Sequence, residues 1–466
     1  MMLRKLSISA SALVLAACAS GPNYVPKPVS ASAAAPFVMA QSSTVVSDSQ
    51  PSGNWWRLYD DPVLDGLVKD ALAANTDIRV AVARLARARA SLREERSARE
   101  PQVGISGSAQ YGRLPGPPLP GEKRTDVQVD VGLGVAYEVD LFGRVSRRIE
   151  AARGDVGAAA ADADAVRVAI VSDTVRAYAD AVSSAERIAV AETIVALLDR
   201  SLALTEKRHQ IGLANGLDTA RIATLRDQRR AEIPLLEAER QGALFRLATL
   251  TGRTPRELPA QAAARTSTLR LERPIPVGDG AALLARRPDV RAAERRLAAA
   301  TARIGVATAD LYPRITLGGS VGSSGAGLGN VFGANPLTWL IGPLISWTVN
   351  RSAARARVVE ARADTQAALA TFDGTVLQAL EETETALSAY QQALSRRDAL
   401  RAARDEAETA ARITRARQRE GDISSLELLD TERTAAEAEA ALAEADASIA
   451  NSQVDLFRAL GGGWET

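Results

Sequence analysis

Cysteine and histidine, on which much metal and nucleophile chemistry rests, each occur once in this chain of 466 residues, as Cys18 and His209. Alone, neither can complete a structural zinc site or a disulfide, and a nucleophile–base pair has almost nothing to be built from. His209 is expected to make a surface or interhelical hydrogen bond. Asp422 offers chemistry of another kind, because it follows Gly421 at a predicted helical turn. A carboxylate repeated around a narrow symmetry axis would attract cations and repel its own copies; the alternative is a solvated turn carboxylate. Overall, 57 basic residues face 56 acidic ones for a net charge of +1, which leaves no positive excess for nucleic acid. These counts point to a non-enzyme without metal or other cofactor.

The single cysteine has a context of its own. Arg4-Lys5, an apolar run from Leu6 to Leu15 and Ala16-Ala17 form an export signal, residues 1–17, too short to remain as a membrane helix. Leu15-Ala16-Ala17-Cys18 resembles the bacterial lipobox, which implies cleavage before Cys18 and diacylglyceryl and N-acyl chains, such as palmitate, on that residue. Ala19 follows in place of Asp, as in lipoproteins sent to the outer membrane.

The elements that would position these residues come in two copies. Pro101-Gln102-Val103-Gly104-Ile105-Ser106-Gly107 parallels Pro313-Arg314-Ile315-Thr316-Leu317-Gly318-Gly319. Arg208-His209-Gln210-Ile211-Gly212 likewise parallels Arg417-Gln418-Arg419-Glu420-Gly421, and Leu250-Thr251-Gly252 parallels Leu460-Gly461-Gly462. Each copy reads helix, strand, strand, long helix, turn, helix. The boundaries are a lipidated extension 18–60, a first repeat 61–252 and a second repeat 287–466, with a connecting segment 253–286. In the first repeat a β-hairpin covers about 102–141 and a helical hairpin about 145–250; in the second they cover about 314–350 and 352–460.

Strict alternation from Val127 to Asp140 gives one apolar and one polar strand face, and Val103 to Tyr111 and Ile315 to Val321 repeat it. The segment from Leu337 to Asn350 is weaker, because Pro343 suits only an edge. The long helices carry no proline and would each reach roughly 100 Å. Leu380, Leu387 and Leu394 on one, and Val168, Val175 and Val182 on the other, belong to stripes at coiled-coil spacing. Hydrophobics make up 46% of the chain and aromatics only 4%, so thin layers of helices wetted on two faces fit better than a thick core. The acids from Glu432 to Asp446 read as a solvated helix face.

Four amphipathic strands cannot close a membrane barrel, and open edges are not tolerated in lipid. Three copies would supply about twelve strands and surround a hollow helical cylinder. The residues thus give a fold class that is mainly α with a membrane β-barrel contribution, a duplicated unit assembling as a lipid-anchored oligomeric channel; a trimeric α-barrel plus a shared twelve-stranded β-barrel is what the family resemblance given below implies. A periplasmic adaptor lipoprotein would show one helical hairpin between β-rich halves, and a cell-wall enzyme would show a catalytic cluster. Neither pattern is present.

Several motifs in this order resemble the TolC-family outer-membrane efflux factors, specifically the NodT-type lipoprotein branch. They are Gly21-Pro22-Asn23-Tyr24, Trp55-Trp56-Arg57-Leu58-Tyr59-Asp60-Asp61-Pro62 and Tyr137-Glu138-Val139-Asp140-Leu141-Phe142-Gly143-Arg144. Leu284-Ala285-Arg286-Arg287-Pro288-Asp289-Val290, Leu426-Glu427-Leu428-Leu429-Asp430-Thr431-Glu432-Arg433 and Ala459-Leu460-Gly461-Gly462-Gly463-Trp464 follow. The resemblance implies a homotrimeric exit duct in outer-membrane lipid. It would pass small molecules such as drugs from an inner-membrane pump of resistance-nodulation-division type and a periplasmic adaptor (membrane fusion protein). It also implies an acidic ring at the periplasmic mouth, for which Asp422 is the candidate; the family's acid often falls one position later, where Ile423 stands. Gly212, Gly216 and Gly421 are the candidate adaptor-contact tips, expected to end helices in left-handed conformations. Pro288 and Asp289 should open a helix, with the arginines before them pinning the connecting layer to acids.

Overall fold

The computed structural model describes residues 20–40, 45–113, 125–271, 273–326 and 337–462. The expected signal peptide, Cys18, most of both strand-connecting loops and Trp464 lie outside the described residues. The labelled elements begin with α1 (Pro62–Ala74), α2 (Thr76–Ser97), β1 (Gln102–Arg113) and β2 (Thr125–Val139), then α3 (Arg144–Gln210) and α4 (Gly216–Leu250). After the connecting segment come α5 (Gly280–Arg286), α6 (Pro288–Ala309), β3 (Arg314–Ala326), β4 (Leu337–Ser346), α7 (Ser352–Glu420) and α8 (Ser425–Ala459). They are distributed over two compact units. One takes in the chain up to Lys27, Arg84–Ala160 and Ala292–Gly374; the other takes in Pro28–Ala83, Ala161–Arg291 and the chain from Thr375 onward.

In the first unit the strands form one antiparallel sheet in the order β1-β2-β3-β4. Ile105, Leu133, Val321 and Trp339 share one row across it, and Val103, Val135, Gly319 and Ile341 another. The row between them holds Gly104, Gly134, Ser320 and Leu340. Because side chains alternate between faces, the large apolar residues of β1, β2 and β3 collect on one face, and only the edge strand β4 carries them on both. That face is uncovered, with Ile105 82% and Trp339 74% exposed. The opposite face mixes glycines and polar residues such as Gln128, Asp130 and Glu138 with Leu340 and Leu344 of the edge strand, and a Cβ on Gly322 would lie 2.8 Å from the Val131 carbonyl oxygen. Pro343 lies opposite Leu317 in β4, an edge strand of this sheet, where proline is tolerated.

The helical part of this unit packs closely through small residues. A Cβ on Gly154 of α3 would come within 2.8 Å of the Ala299 methyl on α6. The Gly21-Pro22-Asn23-Tyr24 strap lies against the same elements. The Ser20 N–H donates to the Phe142 carbonyl (3.1 Å), and Arg147 donates to the Ser20 carbonyl (3.1 Å) and to Asn23 Oδ1 (2.6 Å). Gly21, at φ 85°, leaves no room for a side chain beside Gly305. The Tyr24 hydroxyl donates to Glu294, and burial together with that carboxylate pushes its pKa up to about 12.

The second unit contains the one thick apolar cluster among the described residues of either unit. Trp55 stacks on Phe457 with ring centroids 4.5 Å apart, and Phe37, Leu64, Leu247, Ile275 and Val454 fill in around the pair. The Trp55–Pro62 motif is thereby structural. Asp61 caps α1 by accepting from the N–H groups of Val63 and Leu64, and it is held by the Tyr178 hydroxyl (3.0 Å) and Arg265 (2.9 Å). Burial first, then the Asp61 charge, raises the Tyr178 hydroxyl above its usual range. The segments before α1 and after α4 meet in a short parallel ribbon, Val46–Ser47 with Ile275–Pro276.

At the Arg286-Arg287-Pro288-Asp289 corner, α5 ends and Pro288 opens α6 with Asp289 in its first turn. Arg287 binds Asp289 (2.6 Å) and Glu382 (2.7 Å). Burial alone would lower its pKa, but the two carboxylates outweigh it and raise it. Arg286 donates to the carbonyls of Leu460 (2.6 Å) and Pro51 (3.2 Å). The last carbonyls of α8 lack intrahelical donors and carry the negative end of the helix dipole, so a guanidinium is well placed there. No described helix is long and apolar enough to cross a membrane.

Candidate functional site: the helical tips

The turn between α3 and α4 and the turn between α7 and α8 share one backbone device. Gly212 adopts φ 77°, its N–H donates to the His209 carbonyl, and the Leu213 N–H reaches back to Arg208 (2.7 Å). Gly421 adopts φ 82°, its N–H donates to the Gln418 carbonyl, and the Asp422 N–H reaches back to Arg417 (3.0 Å). These are Schellman turns, in which a left-handed residue lets two orphan carbonyls be satisfied. Gly216 corrects the expectation: it opens α4 and does not end a helix. Asn215 is the cap there, accepting from the Asp218 N–H at 2.9 Å while Asp218 Oδ2 accepts from the Asn215 N–H.

The side chains of the two turns differ. The first exposes Ile211, Leu213 and Leu217, and its His209 Nδ1 donates to the Ala214 carbonyl at 2.9 Å, a bond within the turn. At the second, Arg417 donates from Nε to Asp422 Oδ2 at 2.9 Å, and its other end lies 3.8 Å from Glu427. Asp422 is thus exposed and ion-paired within its own chain. Arg417, its partner, was not anticipated from the sequence, although it stands five residues away across a glycine turn.

Near the tips, the two helical hairpins are tied together. Arg208 on α3 donates to the Gln418 carbonyl on α7 at 3.0 Å, and Ser201 on α3 donates to Glu432 on α8 at 2.8 Å. Arg415 on α7 also reaches Glu432 at 3.2 Å. Glu432 corrects the reading of its segment as a solvated face, since its side chain is 4% exposed. The stripe Leu428, Glu432 and Ala436, at steps of four, is the inward face of α8, and that spacing was available in the sequence. No group of acids, His and Cys among the described residues could hold a metal ion.

The family model described as "Outer membrane efflux protein" matches the chain twice, over residues 67–253 and 281–462. The chain belongs to the outer membrane efflux protein family. It is 32% identical to Outer membrane protein OprJ of Pseudomonas aeruginosa, over 99% of this chain and 97% of that one. It is 30% identical to Nodulation protein T of Rhizobium leguminosarum bv. trifolii, over 97% and 96%. The solved outer-membrane channel OprN superposes with a TM-score of 0.89 at 36% identity, covering 96% of this chain and all of that one. The fold is therefore the TolC type, and the chain is an outer-membrane efflux protein whose family consists of channels.

Proposed function

We propose that three copies of this chain form the exit duct of a tripartite efflux system, joined at the tips by a periplasmic adaptor and fed by an inner-membrane pump of resistance-nodulation-division type. The observation that carries this reading is the four-stranded sheet with an exposed apolar face and two unpaired edges, β1 and β4. In lipid such edges must be paired, and three sheets edge to edge make a twelve-stranded barrel. The cargo class is small organic molecules. Relatives of the chain include a pyoverdine export outer membrane protein and a toluene efflux pump outer membrane protein of Pseudomonas putida. Cys18 carries the acyl anchor, and one lipidated residue adds modest affinity to that of the barrel.

At the mouth, Asp422 and its copies form the acidic constriction, with Arg417 partly offsetting each charge, and the Arg208 and Ser201 ties hold the second hairpin against the first in the closed state. The apolar first tip, with Gly212 and Gly216, and the Gly421 tip offer the adaptor contact. The reading is tested by the mass of the detergent-solubilised protein and its conductance in planar bilayers. A trimer forming discrete channels is expected; a monomer without conductance overturns it. Metabolic labelling with palmitate should mark the wild type and not Cys18→Ser, and label retained in the variant removes Cys18 as the anchor.

A further inference from the structure

The end of the sheet nearest the helices carries exposed aromatic rings. Trp347 follows β4 directly and is 51% exposed, its Nε1–H donating to the Leu311 carbonyl at 3.2 Å. The Tyr312 ring, also exposed, stacks on Phe142 with centroids 4.6 Å apart. Phe142 in turn holds the N-terminal strap, since its carbonyl accepts from the Ser20 N–H. Two residues of chain span at most about 7 Å, so the acyl anchor proposed for Cys18 starts within that distance of Ser20, beside these rings. Amphipathic rings at the end of an apolar sheet face mark a membrane–water boundary. Rings and anchor set it at the same level.

Just beyond that level, α7 begins with unbalanced positive charge. Arg351 lies over the Trp347 ring, its Cζ 5.7 Å from the centroid, and Arg355 stands about one helical turn further along. Both are exposed, and no ion pair involves either among the described residues. Arg314 and Arg357, by contrast, share Asp310. No acid stands three or four positions from Arg351 or Arg355, so α7 itself supplies them no counter-ion. We infer that Arg351 and Arg355 bind the phosphate of an anionic phospholipid in the periplasmic leaflet, with Trp347 and the exposed Ile345 and Val349 against its glycerol and upper acyl chains. Guanidinium groups suit a phosphodiester, and the apolar surface beside them selects a lipid over free phosphate. A zwitterionic headgroup would bring an ammonium group for which the pair has no carboxylate. The inference rests on the barrel reading proposed above.

The test is tryptophan quenching of the full-length, detergent-solubilised protein in mixed micelles by brominated phosphatidylglycerol, compared with brominated phosphatidylcholine. The difference between wild type and Trp347→Phe isolates the Trp347 emission. Phosphatidylglycerol should quench it at a mole fraction at least about tenfold lower, since each arginine near a membrane surface contributes about fivefold. Arg351→Gln combined with Arg355→Gln should remove the preference. Circular dichroism and elution volume establish that the variants are folded, and where one is not, the two lipids compared on wild-type emission decide the matter. Equal quenching by the two lipids, or a preference that survives in the folded double variant, overturns the inference. Inorganic phosphate at millimolar concentration should leave the preference in place; if it removes it, the arginines serve a free anion and the lipid assignment is wrong. Discrete channels without the preference sink this inference alone, whereas a protein that forms no channels loses the barrel reading as well.

Discussion

The Schellman turn at the tips also appears at the opposite ends of α4 and α8, and the two settings are instructive side by side. Gly252 and Gly461 both take φ 68°, and their N–H groups and those of the next residues fold back on Thr249, Ala248, Arg458 and Phe457. At the tips nothing lies within 4 Å of a Cβ built on Gly212 or Gly421. At the inner ends that Cβ would stand 2.7 Å from the Ala74 carbonyl oxygen, for Gly252, or 3.0 Å from the Arg287 side chain, for Gly461. The same backbone motif is thus bound by dihedral preference alone at the open ends, and by dihedral preference plus close packing at the inner ends. At the tips, then, no packing around the glycine constrains the turn.

Alanine substitutions break the comparison in graded order. Gly252→Ala combines left-handed strain with a clash against rigid backbone and should cost roughly 3 kcal/mol or more. Gly461→Ala meets a flexible arginine stem and should cost about 2 kcal/mol. Gly212→Ala and Gly421→Ala should cost only about 1 kcal/mol each. Denaturant midpoints followed by circular dichroism check the ranking, and equal losses at all four positions would refute the packing argument. Asparagine, which tolerates the left-handed region, should restore the tips and fail at Gly252.

The next effect concerns recognition. Leu213→Asp should leave stability near wild type but weaken binding of the purified adaptor by about tenfold or more, as loss of an interface anchor does. Unchanged binding would move the docking surface away from the first tip. The smallest expected change is electrostatic. Asp422→Asn should reduce cation preference in bilayers at 0.1 M salt, where screening acts over about 10 Å, and the difference should fade at 1 M, where it acts over about 3 Å. Identical reversal potentials at low salt would return Asp422 to the role of a turn residue paired with Arg417.

The layout was legible in the sequence because periodicity reports it directly. The alternation from Val127 onward marks a half-exposed strand, and the proline-free stripes through Val175 and Leu387 mark long helices whose inward positions are buried. Glycine identity was less informative than glycine conformation. Pairing Gly252 with Gly462 places the repeat one residue out, since Gly461 carries the positive φ. Gly462 is small for another reason, as a Cβ there would lie 2.9 Å from the Trp55 ring. The spacing of Leu428, Glu432 and Ala436 carried the burial of Glu432, whereas its partners Ser201 and Arg415 and the carbonyl partners of Arg286 depend on which helix passes alongside, a tertiary fact to which local pattern is blind. The candidate site was legible as two glycine turns, while its ion pair and its interhairpin ties were not.

The central seam of the sheet, β2 against β3, joins residues such as Gln128 and Ala326 that are about 200 positions apart. At synthesis rates of roughly 5–20 residues per second, the first hairpin precedes its neighbour by on the order of 10–40 s. During that interval β2 has an unpaired edge and an apolar face in an aqueous compartment, the combination most prone to wrong pairing. A duplicated architecture therefore has a delay written into it, the interval for which the early hairpin waits for the strand that completes its sheet.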